Sequence, residues 1–249
     1  MVRSLERGID ILFLFSNERP ALSVQDIAHS IGVPRGTAYR FVMTLKKMGL
    51  LERDSRSGYY RLGLKLLELQ GIIHRKMDLE ALSTPFLEEL AKTSGETVQL
   101  TVISSGRGIC IYVEESHSTL RVAPERGRVL PLHAGASVQA ILAFLPQEER
   151  SRICSGPLEH FTPYTITDPE KLAKRLEIIR EHGYAVTSEE VFIGGLGIAA
   201  PIFNRDHRVI ASVSISGPIP RMTEKKNVLA QEVLRVADSI SRVLALCAK

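Results

Sequence analysis

The stretch Ser23 to Leu45, SVQDIAHSIGVPRGTAYRFVMTL, narrows the fold and the job of this chain more than any other. Apolar side chains at Val24, Ile27, Ala28 and Ile31, and again at Ala38, Phe41, Val42 and Leu45, recur at three- and four-residue steps, which predicts two short amphipathic helices. Gly32-Val33-Pro34 separates them. Ser23 is placed to cap the first helix, Gly32 supplies a left-handed turn after it, and Pro34 suits the first turn of the second. This is helix-turn-helix spacing. The second helix opens with Arg35, Gly36 and Thr37 and carries Tyr39, Arg40, Thr44 and Lys47 away from its apolar stripe, where they can reach a DNA major groove. A plain helical hairpin with a solvated basic face is the competing explanation. The segment that follows weighs against it: Leu50 to Arg53 and Tyr59 to Leu62 are β-prone runs around a polar, basic turn, Asp54-Ser55-Arg56-Ser57-Gly58. Such a hairpin is a wing. The candidate DNA contacts are therefore Ser23, Arg35, Gly36, Thr37, Tyr39, Arg40, Thr44 and Lys47, with Arg56 on the wing.

Charge placement supports the same assignment. The net charge of the 249 residues is only +4, yet residues 1–62 hold ten Lys/Arg against six Asp/Glu and the remainder holds 22 of each. Because phosphate neutralisation is the main sequence-independent source of DNA affinity, a positive excess confined to the winged segment marks double-stranded DNA as its partner. No apolar run approaches the roughly 18 residues of a membrane span, and no signal-peptide pattern opens the chain, so a cytoplasmic protein without a membrane partner is expected. Cys110, Cys154 and Cys247 are far apart, without paired metal spacing, and read as buried thiols. No cofactor or metal is expected.

Leu5 to Ser16 reads as a first helix, with Leu5, Ile9, Leu12 and Phe13 on the face that braces the recognition helix. After the wing, Leu64 to Met77 is too apolar for a free linker and reads as a bridging helix, either packed within the chain or facing a second copy in a symmetric dimer. A second domain begins near Asp78. Its pattern is a helix at Leu79–Thr93, strands at 97–103, 109–114, 120–123 and 129–132, helices at 137–145, 148–153 and 169–182, strands at 184–187, 198–203 and 209–216, and one long closing helix at 223–248. Strands in adjacent hairpins, with helices gathered separately, indicate an α+β domain on an antiparallel sheet.

The motifs VPRGTAYRFVMTLKKMGLL, YRLGLKLLELQ, LPLHAGASVQAILAFL, HGYAVTSEE, GIAAPIF and SVSISGP occur in one order along the chain. In that order they resemble the isocitrate lyase regulator (IclR) family of bacterial transcription factors over the full length. The resemblance implies a winged helix-turn-helix domain at 1–62, a linker helix at 63–77 and a GAF-like effector domain at 78–249. It also implies a homodimer or homotetramer that represses or activates catabolic genes by binding an operator. A family effector pocket then maps to Val122, Ala136, Ser137, Thr187, Gly195, Gly197, Ser214 and Ser216, with Leu130 or Leu132 joining Val122 at an apolar end.

The residues themselves carry part of that chemistry. Ser212, Ser214 and Ser216 alternate with Ala211, Val213 and Ile215, giving one strand face a row of hydroxyls. A Gly194-Gly195-Leu196-Gly197 loop precedes the neighbouring strand, and Ala136 and Ser137 start a helix whose free amides attract anions. Together they suit a small organic acid as effector. Many relatives have Gly-Lys at Val138-Gln139, and some an acidic residue at Thr187 and a cysteine at Gly197, so this pocket should be less charged and roomier.

Two signals point instead to an enzyme acting on a small acid, tethered to a DNA-binding module. Gly135-Ala136-Ser137-Val138-Gln139 resembles a nucleophile elbow, but Gln139 replaces its final glycine and no βαβ series supports that fold. Gly195 to Ala200 partly matches a dinucleotide fingerprint, yet Pro201 and a strand follow where a helix should begin. A non-enzymatic regulator is the reading adopted.

Overall fold

The computed structural model describes residues 2–16, 18–69, 78–122 and 124–247. The chain divides into two compact units, residues 1–78 and 79–249.

In the first unit α1 (Arg3–Leu12), α2 (Val24–Ser30) and α3 (Arg35–Lys47) precede a two-stranded hairpin, β1 (Leu51–Arg53) and β2 (Tyr60–Leu62). Ser23 and Asp26 form a reciprocal capping box: the Asp26 amide donates to Ser23 Oγ at 3.1 Å and the Ser23 amide to Asp26 Oδ2 at 3.0 Å. Gly32 takes φ +63°, a left-handed value that turns the chain between α2 and α3. Pro34 is the N-cap of α3 rather than its first helical residue. Ile27, Ala28, Ala38, Val42 and Leu45 pack with Leu51 and Tyr60 around the fully buried Ile11. The helix α1 ends four residues sooner than expected; of its expected inner face Leu12 packs against the core, while Leu5, Ile9 and the C-cap residue Phe13 face solvent. Ile11 buries in their place, because α1 carries two apolar stripes and only one fits the groove between α2 and α3. Residues 65–69 are helical, and residues 70–77 of the expected linker helix lie outside the described residues.

In the second unit α4 (Asp78–Ser94) leads into a six-stranded antiparallel sheet of β3 (Thr97–Ser104), β4 (Arg107–Glu114), β5 (Val129–Pro131), β6 (Ala185–Ser188), β7 (Gly195–Phe203) and β8 (Val209–Pro218), in the spatial order β5-β4-β3-β8-β7-β6. Between β5 and β6 come α5 (Ala136–Leu142), α6 (Gln147–Cys154) and α7 (Pro169–His182). After β8 come α8 (Ile219–Glu224) and α9 (Lys226–Cys247). The alternation of each strand divides its side chains between two cores. Ala211, Val213 and Ile215 of β8 join Leu87 and Leu90 of α4 and the apolar side of α9. On the other face α5 lies on the sheet, with Leu172, Leu176 and Ile179 of α7 behind it. Ser212, Ser214 and Ser216 therefore point beneath α5 rather than into water.

Three expectations are corrected. Of the strand expected at 120–123, Ala123 lies outside the described residues and Leu120 to Val122 form none: β5 takes the free edge of β4, and the Leu120 carbonyl accepts a hydrogen bond from Arg221 at 3.1 Å instead. The single closing helix is two, broken at Lys225, where φ is −104° and ψ 6°. Gly195 to Gly197 lie inside β7, not in a loop, pairing with Ser188 and Thr187 on one side and Pro218 to Ser216 on the other.

Gly108 shows how closely α5 is laid on the sheet, since a Cβ there would run into Val138 Cγ1. Gly108→Ala should cost about 1–3 kcal/mol by overpacking, read by calorimetric unfolding of the full chain, and Val138→Ala in the same chain should recover most of it.

Candidate effector cavity and DNA-reading surface

Between the sheet and the start of α5 lies a cavity of about 70 Å³. A single water needs roughly 10–15 Å³, so there is room for a small organic molecule. One rung of the sheet forms its floor: Thr187, Gly197 and Ser216 are partners across β6, β7 and β8. Gly197 keeps that rung open, because a Cβ there would sit 3.2 Å from that of Ala136. All nine residues expected around an effector, Val122, Leu130, Ala136, Ser137, Thr187, Gly195, Gly197, Ser214 and Ser216, line this one cavity, whereas Leu132 is buried in the core behind it.

The serine row divides its labour. Ser212 Oγ donates to the Ser137 carbonyl at 2.6 Å, tying β8 to α5. Ser216 Oγ accepts from Gln99 Nε2 at 2.8 Å. Ser214, 1% exposed, has a hydroxyl with no hydrogen-bond partner. An unpaired buried hydroxyl costs on the order of 1–3 kcal/mol, so its place on a cavity wall marks an atom that a ligand can satisfy.

The start of α5 is not the open anion site its sequence suggests. Gly135, at φ +97°, donates its amide to Glu190 Oε2 at 3.2 Å, and Gln139 Nε2 reaches the same oxygen at 2.6 Å. Arg175 stands 3.6 Å from the other Glu190 oxygen. A carboxylate of the chain itself thus occupies the position expected for a ligand's. Burial raises the Glu190 pKa despite the amide, the guanidinium and Gln139, each of which lowers it. Cys110, also on the wall, is pushed up to about 11 by burial and stays a thiol.

Sequence reasoning missed Gln99, Arg128, Glu190 and Phe192, all of which line the cavity. Gln99 had a signal, since Thr97, Gln99 and Thr101 make a polar row on β3 facing that of β8. Arg128 and Phe192 lie outside strands and helices and had none.

On the first unit, Arg35, Gly36, Tyr39, Arg40, Thr44 and Lys47 are exposed along one side of α3, with Thr37 half-buried at its start and Arg56 exposed at the tip of the hairpin. Ser23 is half-buried, and its hydroxyl serves the capping box. Its neighbours Gln25, Arg35, Tyr39 and Arg53 line a shallow groove between the starts of α2 and α3 and the hairpin, and Arg53 is a further cation there.

Two family models match the chain. "Bacterial transcriptional regulator IclR C-terminal" matches residues 72–242, and "IclR helix-turn-helix domain" matches residues 4–55. The chain belongs to the IclR family of bacterial transcriptional regulators. Among its relatives, the transcriptional regulator KipR of Bacillus subtilis (strain 168) is 35% identical over 242 residues, 96% of each chain. The transcriptional repressor AllR of Escherichia coli (strain K12) is 35% identical over 246 residues, 98% of this chain and 91% of its own. An IclR homologue from Microbacterium hydrocarbonoxydans, solved in complex with 4-hydroxybenzoate, superposes with a TM-score of 0.83 at 28% identity, covering 96% of this chain and 99% of that one. An IclR-type regulator binds DNA through its helix-turn-helix, and these relatives are regulators rather than enzymes. His133, the histidine nearest in sequence to the elbow-like Ser137, is held by the Glu159 carbonyl at 2.8 Å. Among the described residues no helix is long and apolar enough to cross a membrane, and no cluster of metal-ligating side chains occurs.

Glu190 yields a pH-dependent prediction. Its folded pKa is raised above the ordinary 4.5, so the stability it contributes is fully present below that pH and is lost as pH rises through the folded value. Glu190→Gln removes the ionisation while keeping an acceptor for Gly135. Its unfolding temperature relative to the parent should therefore climb between pH 4.5 and neutrality, and a difference that stays flat with pH contradicts this.

Proposed function

We propose that this regulator is a cytoplasmic homodimer, able to pair into a homotetramer, that represses genes for catabolism of a small organic acid and releases its operator when that acid fills the cavity. In this reading residues 1–62 read DNA, residues 63–77 link and dimerise, and residues 78–249 sense the effector. Arg35, Gly36, Thr37, Tyr39, Arg40, Thr44 and Lys47 enter the major groove, while Ser23 and Arg56 lie against the phosphate backbone. Val122, Leu130, Ala136, Ser137, Thr187, Gly195, Gly197, Ser214 and Ser216 surround the effector.

The observation that carries the sensing half is the unpaired Ser214 hydroxyl on the wall of a cavity that a small molecule would fill. The repressor name of AllR and the 4-hydroxybenzoate in the Microbacterium protein point the same way. Support for the dimer comes from apolar side chains exposed at helical spacing, Leu5, Ile9 and Phe13 on α1 and Leu64 and Leu67 after the hairpin. An effector moves operator affinity only as far as it prefers one of two states, typically by about 1–3 kcal/mol.

Arg40 is exposed on α3 and none of its side-chain atoms is committed to an ion pair. Arg40→Ala should weaken binding to the chain's own promoter region about tenfold or more and lower the salt dependence by about one ion, with unfolding unchanged. Unaltered affinity in a gel-shift titration from 50 to 200 mM salt (roughly the range over which phosphate contacts show) would remove α3 from the interface.

A further inference from the structure

Resting on the cavity as effector site, the chemistry of its walls narrows what the effector is. With Glu190 already on the Gly135 amide, an incoming carboxylate needs positive charge elsewhere. Among the lining residues only Arg128 supplies it. Its guanidinium carbon sits 4.2 Å from the centre of the Phe192 ring, half-buried, and no described carboxylate forms an ion pair with it. Burial lowers its pKa, and the nearby Glu125 offsets that only in part. Arg175, by contrast, is spent on Glu190 and on the Val186 carbonyl, 2.8 Å away. The other carboxylate on the wall, Glu189, accepts the Gly194 amide at 2.8 Å and leaves the Arg128 side for an anion.

The unpaired hydroxyl belongs to β8, while Arg128 precedes β5. The Arg128 carbonyl accepts from the Cys110 amide on β4, Cys110 is partnered by Thr101 on β3, and Thr101 by Ser212 on β8, two residues from Ser214. Arg128 and the serine row are thus three interstrand steps apart, each of roughly 4.8 Å. The long arginine side chain spans part of that distance, and Val122, Leu130 and Val138 line the wall as apolar surface. We propose that Arg128, stacked on Phe192, receives the effector's carboxylate, and that the effector is a monocarboxylic acid with an apolar middle and a hydroxyl or carbonyl at its far end that pairs with Ser214.

Calorimetric titration of the full chain tests this with 4-hydroxybenzoate and 5-hydroxypentanoate, their uncharged amides, and pyruvate as a short acid. At least one of the two longer acids should bind at least tenfold more tightly than its own amide and than pyruvate. Arg128→Gln should weaken that acid about 10- to 100-fold, the scale of a charge-assisted pair. Arg128→Lys, which keeps the charge and loses the fork, should fall between and serves if the glutamine variant does not fold. Ser214→Ala should weaken the acid while keeping its preference over the amide. Unchanged affinity in both Arg128 variants, or an amide that matches its acid, overturns the assignment. If neither longer acid binds, the proposed class is wrong, and a thermal-shift screen of metabolites then separates the two failures. A different stabilising compound leaves the effector reading standing, and none removes that reading as well.

Discussion

A polar group taken out of water must find a partner, and the layer between the sheet and α5 is where this chain meets that demand unevenly. Ser212 is satisfied by the Ser137 carbonyl, Ser216 by Gln99, and Glu190 by Gly135 and Gln139. The Ser212 and Glu190 bonds fix α5 over the serine row and so set the gap beneath it. Ser214 and the outer oxygen of Gln139 are left without partners. Had the row been apolar, α5 would close on the sheet and there would be no cavity. Had every hydroxyl been paired, the cavity would have nothing to offer a polar ligand.

Gly135 shows how backbone and side chain cooperate in this. Its φ of +97° turns the amide toward Glu190, and a side chain there would meet Val191 at 2.9 Å. The buried carboxylate thereby links the start of α5 to the loop after β6 and, through Arg175, to α7. Elements that line the cavity are joined by charge-assisted bonds instead of apolar contact alone, which makes their arrangement sensitive to what enters. The DNA-reading unit follows another logic. Its core is small and apolar around Ile11, and the expected DNA-facing side chains of α3 are largely exposed. Arg40 and Lys47 are exposed, and the capping box at Ser23 and the turn at Gly32 position α3 without their help.

The helices and strands of both units were legible wherever periodicity was strong. The stripes of α2 and α3, the hairpin around Asp54–Gly58, the alternation of β8 and the extent of α7 all follow from spacing and capping chemistry. The misreadings share a cause: periodicity states that a face is apolar, not what covers it. So the pattern of α1 points to a face of which only Leu12 packs against the core, and residues 120–123 read as a strand although β5 takes that edge. Glycines misled likewise, for Gly195 to Gly197 read as a loop although β7 needs them small where it passes Ala136. The cavity's hydroxyls were visible because they repeat. Arg128, Glu190 and Phe192 were not, since they come from segments without a period and meet only in three dimensions.

The account rests on a coupling between operator and cavity, and coupling between two binding sites is reciprocal. The direct measurement is a pair of titrations on the full chain: operator affinity with and without a saturating small acid that stabilises it, and affinity for that acid with and without operator. The account predicts that each ligand weakens the other by the same factor, about 5- to 150-fold. Operator affinity untouched by an acid that fills the cavity would contradict it.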